Sequence, residues 1–172
     1  MRLLVLALAA CSGSPVPAAN PARPAPPPAD AAIDAAIDAA PDAGVPAAVQ
    51  AAPPWIFRFH TAQRTETWTL RYADGAAELV VEAASGTTRY LGTAVDGDSL
   101  AVRVATSAAK LALDCKHAHR AISAKCNDTK ARPIDVLDCY HPDFKEPMPF
   151  AQAPGIEYVV DATCSGYRSI AP

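Results

Sequence analysis

Residues 65–83 read TETWTLRYADGAAELVVEA, and this stretch decides the fold. Trp68, Leu70 and Tyr72 alternate with Thr67, Thr69 and Arg71; Leu79, Val81 and Ala83 alternate with Glu78, Val80 and Glu82. A period of two places the apolar set on one face of a strand. Asp74 and Gly75 between the runs suit a two-residue hairpin turn, whose central residues need positive φ. The stretch is therefore a β-hairpin with one buried face.

The same grammar continues outward. The chain turns to period two at Trp55, and His60 closes a first strand as a structural residue. Residues 87–95 form a strand carrying Tyr90 and Leu91, bounded by turns at Ser85-Gly86 and Asp96-Gly97. Leu100, Val102 and Val104 then alternate with Ala101, Arg103 and Ala105, and Leu111, Leu113 and Cys115 alternate with Lys110, Ala112 and Asp114. Residues 118–125 read as a strand, because Ile122, Ala124 and Cys126 keep the alternation. Residues 134–139 and 156–162 are further strands. Residues 142–154 between them are a Pro-rich loop with aromatics, in which Pro147-Met148-Pro149-Phe150 forms a contact patch or a cover over one barrel end. About eight strands joined by short turns predict an all-β antiparallel meander, closed as an up-and-down barrel or stacked as a two-sheet sandwich. The succession of turns is similar to calycin-type barrels in architecture alone.

Composition sets the domain plan. The chain has 172 residues and a formal net charge of −3; its 51% hydrophobic fraction is inflated by alanine in a low-complexity tract. Residues 12–54 are almost wholly Ala, Pro and Asp without an aromatic, and cannot bury enough apolar surface to offset their ordering entropy. Pro24-Ala25-Pro26-Pro27-Pro28 favours polyproline II, an extended spacer. Asp30, Asp34 and Asp38 recur every fourth residue. They lack the carbonyl ligands and glycine turn of a calcium loop, and read as a solvated acidic spacer in which 31–40 can form a transient helix. The expected plan is a signal over 1–10, a linker over 11–54 and a β domain over 55–172, the size of one domain. No basic patch interleaved with aromatics points to nucleic acid.

The N-terminus supplies an address. Arg2 precedes an unbroken apolar run over residues 3–10, too short for a bilayer, which takes roughly 20 residues. Leu8-Ala9-Ala10-Cys11 closes it and resembles the lipobox of bacterial lipoproteins, position by position. The resemblance covers the first eleven residues. It implies cleavage before Cys11, a diacylglyceryl thioether on that cysteine, and membrane attachment through lipid. Two or more acyl chains hold firmly where one does not. The family's sorting rule keeps Asp at the next position in the inner membrane; Ser12 stands there, so outer-membrane placement in the cell envelope is expected.

With Cys11 assigned to lipid, Cys115, Cys126, Cys139 and Cys164 remain, an even number for an oxidising compartment. Among three connectivities, Cys115–Cys126 as a hairpin staple and Cys139–Cys164 across the tail is favoured. These bridges close loops of about 11 and 25 residues, each stabilising by roughly 2–4 kcal/mol.

Two clusters carry titratable groups. Cys115, His117 and His119 share a strand face, a spacing that suits zinc or copper. A disulfide at Cys115 removes that ligand, and no further one is identifiable, so no metal or other cofactor is expected. His141 and Asp143 resemble half of a hydrolytic triad, with Ser165 as the nucleophile if Cys139–Cys164 brings it near. No nucleophile elbow surrounds Ser165, and His-Pro-Asp suits a turn. Asn127-Asp128-Thr129 matches a glycosylation acceptor that a bacterial lipoprotein would not normally use. The expectation is a non-catalytic binding module contacting envelope protein or polysaccharide. The alternatives are a ligand carrier with a hollow barrel, and a metal or hydrolytic protein using His117/His119 or His141.

Overall fold

A computed structural model describes residues 44–123, 125–126, 131–142, 144–152 and 154–170. Cys11, the expected signal and the tract up to residue 43, the glycosylation acceptor at 127–129, and Ala124 and Asp143 lie outside the described residues.

Among the described residues, ten strands follow a short helix, α1 (Ala47–Ala51). They are β1 (Trp55–Thr61), β2 (Thr65–Ala73), β3 (Ala76–Ala83), β4 (Gly86–Val95), β5 (Leu100–Ala105), β6 (Lys110–Ile122), β7 (Arg132–Tyr140), β8 (Met148–Gln152), β9 (Ile156–Val160) and β10 (Ser165–Ser169). β1 to β8 form an antiparallel meander that closes by pairing Trp55 with Gln152 and Ile56 with Ala151. The fold is a barrel, not a sandwich. The β2–β3 hairpin has the expected register, Ala73 opposite Ala76, with Asp74 at φ 52° and Gly75 at φ 79° in the turn. β4 and β5 approach closely at Gly92, where a Cβ would lie 2.1 Å from the Arg103 carbonyl oxygen.

The inward set fills the barrel. Leu70, Leu79, Leu100, Val102, Val104, Leu113, Leu137 and Phe150 are all 0% exposed, so no water-sized void opens beside them. A residue such as Phe150 contributes about 1.5–3 kcal/mol by leaving water.

The end of the chain adds a second layer. Beyond Ile56, β8 leaves β1 and β9 takes its place, pairing in parallel from Phe57 opposite Ile156 to Thr61 opposite Val160. β10 pairs antiparallel with β9. Pairing puts Leu137 and Phe150 on the inner face, so Ile122, Val136 and Ala151 lie on the outer face of β6–β8. Yet these three are 7%, 1% and 4% exposed. β9 and β10 lap over them: the Tyr167 hydroxyl donates to the Pro147 carbonyl at 3.0 Å, and the Arg120 guanidinium lies 5.8 Å from the Tyr167 ring centre. The Ser169 N–H donates to the Ser123 carbonyl at 2.8 Å, pinning the flap's free edge to the end of β6.

Several expectations are corrected. The loop expected over 142–154 contains β8. Pro149 is tolerated there because β1 pairs only with Ala151 and Gln152, leaving Pro149 on a strand edge. The disulfides are Cys115–Cys139 and Cys126–Cys164, not Cys115–Cys126 and Cys139–Cys164. β6 runs on to Ile122 instead of turning near Arg120, so Cys115 meets Cys139 directly across the ladder, and His117 and His119 face Leu137 and Asp135. The last residues assigned to the linker belong to the fold: α1 packs against β2 and β3, with Val49 fully buried.

Candidate functional site

The barrel end farthest along β1 from the entering chain is closed by aromatics around a cation. Phe59 ends the inward face of β1 and Trp68 that of β2, while Phe144 reaches in from the β7–β8 connection. Phe144 stacks on Phe59, with ring centres 5.0 Å apart and planes 17° apart. The Arg64 guanidinium lies 4.5 Å from the Phe59 centre and 4.8 Å from that of Phe144, within cation–π range. Arg64 Nη2 and Trp68 Nε1 both donate to Glu66 Oε2, at 2.7 and 2.8 Å. Burial pushes the Glu66 carboxyl up, but these hydrogen bonds and the Arg64 charge outweigh it and hold it below the usual value.

Beside this mouth, the seam between barrel and flap opens as a groove of about 280 Å³. Phe57, Phe59 and Met148 form its floor, Phe144, Tyr158 and Tyr167 its half-buried sides, and exposed Lys145 and Glu146 its rim. Tyr158 and Tyr167 face each other across the β9–β10 ladder with centres 5.1 Å apart. Burial, followed by the Glu146 charge, pushes the Tyr167 phenol up to about 12. The groove is apolar, aromatic and bordered by one charge of each sign. It suits flat or ring-bearing apolar groups held by stacking, with charge at the edge for orientation.

His117 and His119 lie elsewhere. At the other end, Trp55, His117, His119, Asp135 and Gln152 line a cleft of about 390 Å³. His119 Nδ1 lies 2.6 Å from Asp135 Oδ1 in an exposed pair, and the His117 ring stands edge-on to Trp55 at 6.1 Å. His117 and His119 share the expected face, but among the described residues no group of three His, Cys, Asp or Glu side chains is placed to hold a metal ion. His141 packs against Trp68 and Phe144 at the aromatic mouth. The bridge expected to carry Ser165 towards it does not exist, since Cys164 is bonded to Cys126. His60 sits 3.7 Å from buried Glu157, which Arg168 also holds.

The groove residues Phe144, Tyr158 and Tyr167 were not singled out by the sequence. Their signal was weak: two aromatics in short strands and one in a loop, with nothing to say that the chain's end folds back over the barrel. No protein-family model, curated protein or solved structure matches this chain.

Proposed function

We propose that this chain is a lipid-anchored envelope protein whose barrel binds a partner, envelope protein or polysaccharide, through the aromatic groove. One observation supports the reading: an aromatic groove of about 280 Å³, floored by Phe57, Phe59 and Met148 and rimmed by Lys145 and Glu146, opens beside the cation-capped mouth. An acylated Cys11 would tether the barrel to the membrane through a tract whose Pro content favours extension. The filled interior leaves a carrier role only the open clefts, because no ligand-sized space surrounds the buried inward side chains. Placement in the outer rather than the inner membrane is part of the same reading and rests on Ser12 under the lipoprotein sorting rule.

Photo-crosslinking tests this. A photoreactive residue at Lys145 in the cell-expressed full chain is expected to give one dominant adduct. The same residue at Val95, exposed on the remote wall, is expected to give background only. Equal background at both positions overturns the groove as the binding site. Replacing Cys11 with serine is expected to move the chain from the membrane to the soluble fraction.

A further inference from the structure

We infer that the groove's resident occupant is the chain's own proline-rich segment, Arg23-Pro24-Ala25-Pro26-Pro27-Pro28, docked as a polyproline II strand with Arg23 against Glu146. Proline-rich segments dock in aromatic-lined grooves, and they lose little entropy because their rings preset φ. The groove offers three half-buried rings, Phe144, Tyr158 and Tyr167, over an apolar floor, with a carboxylate at the rim. Arg23 is the sole basic residue between Arg2 and Arg58, so the segment brings its cation directly beside its prolines.

Reach favours the same occupant. Roughly 16 residues separate Pro28 from Gly44, a length with a root-mean-square span of about 22 Å. The groove floor takes Phe57 and Phe59 from β1, and Phe59 lies about 13 Å along the strand from Trp55 at the usual rise per residue. A linker whose mean span covers the gap gives an effective concentration in about the millimolar range. A docking contact with only about millimolar intrinsic affinity is then substantially filled in the intact chain, and any external partner must displace it. The inference rests on the groove and the segment, and holds whether or not Cys11 carries lipid.

The test is solution NMR of the full chain in detergent micelles with labelled tyrosine rings. Replacing Pro24, Pro26, Pro27 and Pro28 with serine is expected to move the Tyr158 and Tyr167 ring signals and leave those of Tyr72 and Tyr90 in place. Proline-to-tyrosine nuclear Overhauser contacts are expected in the parent chain and absent from the variant. Glu146→Arg is expected to weaken docking about two- to fivefold, as removal of a rim ion pair does, and Arg23→Glu in the same chain to restore it. Unmoved Tyr158 and Tyr167 signals overturn the proposal. Signals that move but lose the shift on dilution place the segment of a second copy in the groove, which also overturns occupancy within one chain.

Discussion

The barrel wall is a single sheet over β2–β5, with only the short α1 packed against β2 and β3, and two sheet layers thick over β6–β8. In the thin half, β5 shows one core face and one solvent-facing side: Val102 and Val104 are fully buried, while Arg103 between them reaches Asp114 at the surface at 2.8 Å; on β3, Glu78 between buried Ala77 and Leu79 is also covered, with Arg89 3.0 Å from its carboxylate. In the thick half both faces are buried, so Val136 and Leu137, neighbours in sequence, are 1% and 0% exposed. A thin wall offers no concavity beyond its rims. A doubled wall creates a seam, and the aromatic groove lies in that seam. The extra two strands therefore supply one side of the aromatic groove rather than closing the barrel, which β8 already does.

The sharpest way to break this comparison is to put a charge on the outer face of each half. Val136→Asp buries an unpaired carboxylate beneath the flap and is expected to cost about 3–5 kcal/mol. Val95→Asp, on the outer face of the thin half and 53% exposed, is expected to change stability by less than about 0.5 kcal/mol. Urea midpoints of the two variants measure both. Similar small losses would mean that the flap does not cover β7 in solution.

The same contrast explains what the sequence revealed. The thin half was legible because strict alternation and Asp-Gly or Ser-Gly turns determine face and register together. In the thick half, Val136-Leu137 and Phe150-Ala151 break alternation, which is how a strand buried on both sides reads. That pattern names no covering element, so β9 and β10 could be seen as strands but not as a flap. β8 was hidden by Pro147 and Pro149, which argue against a strand unless its edge is known to be free. The cysteine pairing failed for a local reason: the alternation through Ile122 was read as a hairpin returning near Arg120, whereas β6 extends unbroken to Ile122. Of the site, only the idea that the 147–150 segment covers a barrel end was within reach, and there Phe150 fills the barrel while Phe144 supplies the cover.

A gentler probe separates the two bridges by layer. Cys115–Cys139 joins adjacent strands within the barrel, whereas Cys126–Cys164 joins the β6–β7 connection to the flap's turn. Their sequence separations are 24 and 38 residues, and chain-entropy arguments give each about 2–4 kcal/mol. Serine at both Cys126 and Cys164 is expected to lower global stability by that amount and to speed amide exchange selectively in β9 and β10. Serine at both Cys115 and Cys139 is expected to lower stability without that selectivity. Uniform exchange in both variants would argue that flap and barrel unfold as one unit.

The smallest effect bears directly on the seam. Tyr167 joins the layers: its hydroxyl donates to the Pro147 carbonyl, and its ring lies beneath Arg120. Burial first, and the nearby Glu146 charge second, push its phenol from 10.0 up to about 12. The folded state keeps this proton across a range in which the unfolded chain has released it. The group's contribution is therefore whole below about pH 10 and is lost as pH rises through about 12. The ring is only half-buried, so solvent screening reduces that contribution to roughly 1 kcal/mol. An ionised phenolate can no longer donate to a carbonyl, and its charge would sit beside Glu146, so alkali should loosen the flap before it unfolds the barrel. Tyr167→Phe removes both the hydrogen bond and the titration. It is expected to cost about 1 kcal/mol at neutral pH, to delete the last tyrosinate step in ultraviolet absorbance, and to abolish the alkaline rise in β10 amide exchange. An alkaline exchange step that survives in Tyr167→Phe would assign the opening to a different group, with Tyr72 next in order, since burial and then Asp96 also raise its phenol. Tyr72 lies in the thin half on β2, so its titration would open the barrel wall and leave the seam closed.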